Sequence, residues 1–144
     1  MYFRKCIQGE IYQNITQTKQ ICYQCLSGSY SLIEPLNNVK QECKQCPFDK
    51  ARECANNTIV LKDGYWRLGN DYDLIDYCEN KPENCLPQEP NQCLLGHIGP
   101  LCEQCDVLGE KWDISYSSTG DYDCAPSGIK YVTADITFLM KPNI

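Results

Sequence analysis

The sequence predicts a small disulfide-rich fold: an elongated array of cysteine-rich modules with short β-hairpins and little helix. Three observations carry this. Twelve cysteines stand in 144 residues, a density typical of cross-linked scaffolds. Their number is even, as complete pairing requires. Leu, Ile, Val and Phe together make only about a fifth of the chain, near the level where apolar burial alone ceases to hold a fold. The 42% hydrophobic content overstates the core, because it counts the cysteines and 10 tyrosines.

Charge narrows the function classes. The net charge is −6, the sequence pI is about 4.7, and no basic run exists. Nucleic-acid binding needs a cationic face to displace counterions, so nucleic acid is set aside as a partner. The opening MYFRKCIQGE lacks the apolar stretch of a signal peptide. No segment approaches the ~20 apolar residues of a membrane span. The expectation is a piece of a larger exported protein, or an incomplete gene model, with any membrane attachment made only through parts of the parent chain absent here.

Residues 1–54 form a first cysteine-rich block, with Cys6, Cys22, Cys25, Cys43, Cys46 and Cys54. Its run CYQCLSGSYSL carries C-x-x-C followed by a glycine and Tyr30. That arrangement resembles furin-like and tumour-necrosis-factor-receptor-type repeats, in which the aromatic covers the disulfide of its own module. Residues 55–92 are a hairpin and a disulfide-closed connector. Ile59 to Lys62 is β-prone, Asp63-Gly64 is a two-residue turn signal, and Tyr65 to Leu68 follows. Asp-Gly supplies the positive φ of a type I′ turn, so a hairpin is expected across it. A lone hairpin is marginal in water, so Trp66 is expected to pack on a neighbouring module. The stretch CENKPENCLPQEPNQ has no helix or strand period and reads as a loop and stiff connector through Pro87 and Pro90.

Residues 93–124 carry Cys93, Gly96, Gly99, Cys102 and Cys105 at three-residue intervals, and end on GDYDC. Glycine at these places lets the backbone turn at positive φ. The spacing resembles the second half of a laminin-type EGF module, so this segment is expected to be EGF-like. Residues 125–144 lack cysteine. They read as a truncated tail, with Ile129 to Met140 either a strand or a frayed end.

Taken in order, DGYWRL, DLIDYC, NKPENC, GHIGPLCEQCD and GDYDC resemble the large cysteine-rich surface and membrane proteins of ciliates. The resemblance implies an extracellular region of a surface protein whose ligand is generally unknown. Beside it, the residues lead to the expectation of a non-enzyme with no cofactor and an unknown protein or glycan as ligand. Laminin-type modules close their last two loops in series, which implies Cys93–Cys102 and Cys105–Cys124. In that scheme each C-x-x-C is a joint between loops. Carried along the chain, the scheme implies Cys6–Cys22, Cys25–Cys43, Cys46–Cys54 and Cys78–Cys85. Receptor-type crossing, with Cys22–Cys43, Cys25–Cys54 and Cys6–Cys46, remains open. Asn14-Ile15-Thr16 and Asn56-Asn57-Thr58 are N-glycosylation acceptor patterns, conditional on export.

One other chemistry competes. Cys22-x2-Cys25-x17-Cys43-x2-Cys46 matches four-cysteine zinc spacing. The alternative function is therefore an intracellular interaction protein built on a structural zinc. Histidine occurs once, as His97, where a variable loop-surface position is expected. No base positioned by a partner can be named for a nucleophilic site. Asp71, Asp73 and Asp76 lack the glycine-containing loop and closing Glu of an EF-hand and read as a solvated acidic edge.

Overall fold

The computed structural model describes residues 4–36 and 39–127; the strand expected within 129–140 lies outside them. The chain divides into two compact units. The first holds the described residues through Lys62 together with Leu68–Ile75; the second holds Asp63–Arg67 and the described residues from Asp76 onward. Secondary structure is a series of two-stranded antiparallel sheets. Two 3-10 turns, Pro82–Asn84 and Pro100–Cys102, are the only helical elements among the described residues. The expected small disulfide-rich β fold is what forms. No helix among the described residues is long and apolar enough to cross a membrane.

In the first unit, β1 (Glu10–Thr16) pairs with β2 (Lys19–Gln24), β3 (Ser29–Tyr30) with β4 (Lys44–Gln45), and β5 (Ala51–Ala55) with β6 (Thr58–Leu61). Such sheets have no second layer, so covalent and polar ties hold them. Cys6–Cys22 clips the incoming chain to β2, and Cys25–Cys43 and Cys46–Cys54 close the loops that follow. Gly28 stitches the loops, donating to the Cys54 carbonyl at 2.9 Å and accepting from the Cys46 N–H at 2.9 Å. Buried Glu10 accepts from the two terminal guanidinium nitrogens of Arg4, at 2.8 and 2.6 Å, and from the Ile7 N–H at 2.9 Å.

The segment after Arg67 returns to this unit through a buried tyrosine. Tyr30 donates its hydroxyl to Asp73 at 3.0 Å, and Lys44 reaches the same oxygen at 2.8 Å. Those two partners, Lys44 foremost, hold the Asp73 carboxyl below its ordinary range. The expectation of a purely solvated edge at Asp71, Asp73 and Asp76 therefore fails at Asp73.

The expected hairpin across Asp63-Gly64 does not form. Strand β6 pairs backward with β5, around a turn at Asn56-Asn57 in which Asn56 takes φ 55°. Asparagine tolerates that left-handed conformation better than most residues. A Cβ added to Gly9 would stand 2.8 Å from the Asn56-Asn57 peptide, so the turn seats against a bare glycine backbone. Gly64 does adopt positive φ, at 92°, but its backbone serves other partners. It donates to the Cys85 carbonyl at 2.8 Å and accepts from the Cys78 N–H at 2.9 Å. Non-local pairing to two cysteines thus outcompetes the local turn.

In the second unit, β7 (Tyr65–Trp66) pairs with β8 (Asp76–Tyr77), β9 (His97–Ile98) with β10 (Gln104–Cys105), and β11 (Tyr116–Gly120) with β12 (Asp123–Pro126). Its core is sulfur: Cys78–Cys85 and Cys93–Cys102 form one buried cluster, with Trp66 and Leu101 packed against it. Cys105–Cys124 joins β10 to β12. Gly96 and Gly99 take φ 88° and 81°, as the sequence requires.

Buried polar groups complete this unit. Asp106 accepts from the backbone N–H groups of Glu110, Lys111 and Trp112, at 3.1, 2.9 and 2.7 Å. His97 is 2% exposed, which corrects its expected place on the loop surface. Its Nε2 lies 3.0 Å from the Tyr122 carbonyl, and Nδ1 lies 3.2 Å from the carbonyls of Leu94 and Leu95. Asn84 donates to the same Tyr122 carbonyl at 2.7 Å and to that of Cys102 at 3.3 Å. A left-handed Tyr122, φ 61°, aims its carbonyl at both.

Two outcomes follow. A Cβ at Gly96 would overlap the Tyr116 ring, on a backbone already at positive φ. Gly96→Ala should therefore lower unfolding free energy by roughly 2–4 kcal/mol in denaturant titration with disulfides intact. A cost below about 1 kcal/mol would show that the ring and backbone relax freely. The second outcome concerns pH. The hydrogen bonds from Arg4 hold the Glu10 carboxyl at about 2, against an ordinary 4.5. A depressed carboxyl stabilises fully above its unfolded value and loses that contribution as pH falls through its folded one. The stability advantage of the native chain over Glu10→Gln should shrink as pH drops from about 4.5 toward 2. An advantage constant across that window would refute the pairing.

Candidate binding groove

Strand β1 alternates its side chains, so Tyr12 and Asn14 share one face while Ile11 and Gln13 share the other. Opposite them on β2 stand Cys22 and Gln20 for the first face, and Tyr23 and Ile21 for the second. The hairpin and the segment Val39–Gln41 bound a groove of about 630 Å³. That size falls within the range of small-molecule sites. Amides, phenols and one lysine make its polar lining, with Asn14, Gln20 and Gln41 among them. No carboxylate, imidazole or thiol stands among the described lining residues. The chemistry on offer is hydrogen bonding by amides, one ammonium donor and stacking on tyrosine.

Tyr12 is half-buried and held in place, since its hydroxyl accepts the Cys6 N–H at 3.2 Å. The Cys6–Cys22 disulfide stands beside it, because Cys22 is its partner across the sheet. Sequence reasoning missed the groove. The turn at Gln17-Thr18 carries neither Gly nor Pro, and only the alternation of EIYQNIT hinted at a strand.

The structure draws the sequence-marked residues into separate places. Asn14 lies on exposed β1 and Asn56 on the exposed β5–β6 turn. The zinc alternative at Cys22, Cys25, Cys43 and Cys46 is not favoured. Cys25 and Cys43 are bonded to each other, Cys22 to Cys6, and Cys46 to Cys54. A sulfur committed to a disulfide is not the thiolate that zinc requires. Cys6, Glu10 and Cys22 bring ligand-type atoms within 4.8 Å of one another. Two of those atoms share a disulfide and the third is taken by Arg4, so the cluster offers no metal site.

Accessibility ranks the six disulfides. Five have at least one fully buried cysteine, whereas Cys105 and Cys124 are both half-buried. Limited reduction at neutral pH followed by alkylation should label Cys105 and Cys124 before any other pair. First labelling of Cys78, Cys85, Cys93 or Cys102 would contradict the packing of the sulfur core.

No family model, curated protein or solved structure matches the chain. All twelve cysteines are paired and none is free. Disulfides at this density are characteristic of extracellular and secreted domains, where thiols stay oxidised.

Proposed function

We propose that this chain is a non-catalytic extracellular part of a cell-surface protein, acting in recognition, adhesion or spacing. One observation carries the reading: the buried centre of the second unit is cystine where most domains place aliphatic side chains. A protein built this way needs an oxidising compartment to fold. The resemblance to cysteine-rich ciliate surface proteins, with an EGF-like segment at residues 93–124, supports a place in a larger membrane-attached chain. Its external ligand is a protein or a glycan.

The test is compartment-dependent folding. The chain directed through a eukaryotic secretory pathway by a cleavable leader should emerge with no thiol reactive under denaturing conditions. Its near-ultraviolet circular dichroism should survive EDTA and vanish with reductant. Free thiols in a folded product, or collapse on chelation, would sink the reading and restore the intracellular zinc alternative.

A further inference from the structure

Three features coincide at one place on β1. Asn14 opens the acceptor triplet Asn14-Ile15-Thr16. Its side chain is exposed and lines the groove. Two residues earlier, Tyr12 lies on the same strand face and lines the same groove. Same-face neighbours on a strand stand about 7 Å apart, roughly the width of a sugar ring. The register shifts between Asn14 and Thr16, so the strand bends just beyond the acceptor.

We propose that Asn14 is N-glycosylated and that its first N-acetylglucosamine seats in this groove against the Tyr12 ring. The proposal rests on export, and it assigns the groove to the chain's own glycan. The apolar C–H face of the pyranose meets the tyrosine face. Gln20, across the sheet from Asn14, and Gln41 line the groove beside the acceptor. The co-reactant is a lipid-pyrophosphate-linked oligosaccharide. Asn14 Nδ2 bonds to C1 of the sugar carried on the pyrophosphate, and that C1–O bond to pyrophosphate breaks. Lipid pyrophosphate leaves with the bonding pair, and one amide proton passes to a base of the transferase. Asn14 lies in a paired strand inside the loop closed by Cys6–Cys22. Transfer therefore precedes hairpin formation, and the disulfide then closes over a sugar-bearing loop.

Asn56 is the internal control. It too is exposed, but two residues before it stands Cys54, buried in a disulfide, with no ring to offer.

The experiment uses the secreted chain. Glycopeptide mass spectrometry reads occupancy at both asparagines, and endoglycosidase trimming leaves a single N-acetylglucosamine at each. Asn14→Gln should then melt about 3 °C below the trimmed protein, the scale of one aromatic contact. That difference should disappear in a Tyr12→Leu background and persist with Tyr12→Phe, which keeps the ring. The N-acetyl methyl signal at Asn14 should move upfield under the ring current, and that at Asn56 should not. Nuclear Overhauser contacts from Tyr12 to the sugar read the same point without any variant. An occupied Asn56 beside an empty Asn14 overturns this proposal and leaves export standing. An occupied Asn14 with an unshifted methyl signal overturns the seating. Empty acceptors together with free thiols overturn both export and the glycan.

Discussion

The buried pairing of Cys78–Cys85 with Cys93–Cys102 is the constraint on which the second unit depends. Isolated two-stranded sheets, most of them in this unit with strands of two residues, cannot bury enough surface to offset the entropy of ordering their chain. A covalent link acts on the other side of the balance, by removing freedom from the unfolded state. Trp66 then finds a surface to cover, and the 3-10 turn at Pro100–Cys102 is fixed where Leu101 and Cys102 both take left-handed φ of 57°. Such a backbone persists only where its surroundings over-determine it. The same logic, more spread out, holds the first unit, where Gly28 and Gly9 bring carbonyls and N–H groups of separate loops together.

Polar groups fill the places that sulfur does not. Asp106 gathers three backbone N–H groups that the loop after it would otherwise leave unsatisfied. His97 and Asn84 converge on one carbonyl, that of Tyr122. These side chains do for the loops what a sheet ladder does elsewhere: they find partners for backbone taken out of water. The histidine between two glycines, on β9, is thus an internal strut in this chain.

The class of fold was legible because cysteine count and aliphatic poverty point the same way. Gly96 and Gly99 were legible because their demand is local: positive φ, met by the residue that bears it cheaply. Asp63-Gly64 misled for the complementary reason. Its local preference for a turn is real, and Gly64 does turn, but β6 pairs with β5 through the Asn56-Asn57 turn and the Gly64 backbone is taken by Cys78 and Cys85 further along the chain. The groove was hidden because its turn lacks glycine and proline and its walls come from two stretches separated by Cys25. Asp73 and His97 were misread for a shared cause. A side chain's burial depends on what returns to cover it, which spacing does not encode.

The two units are interleaved along the chain: residues 63–67 belong to the second, and residues 68–75 go back to the first. Asp73, the partner of Tyr30 and Lys44, therefore emerges during synthesis only after Trp66. All six cysteines of the first unit will have appeared by then, the last being Cys54. Oxidation of that unit can begin before this carboxylate arrives. The chain order thus allows the first unit to mature in two stages, a covalent draft followed by a noncovalent seal. Neither half can be lifted out by a single cut: cleavage after Lys62 would part Tyr30 and Lys44 from the carboxylate they share.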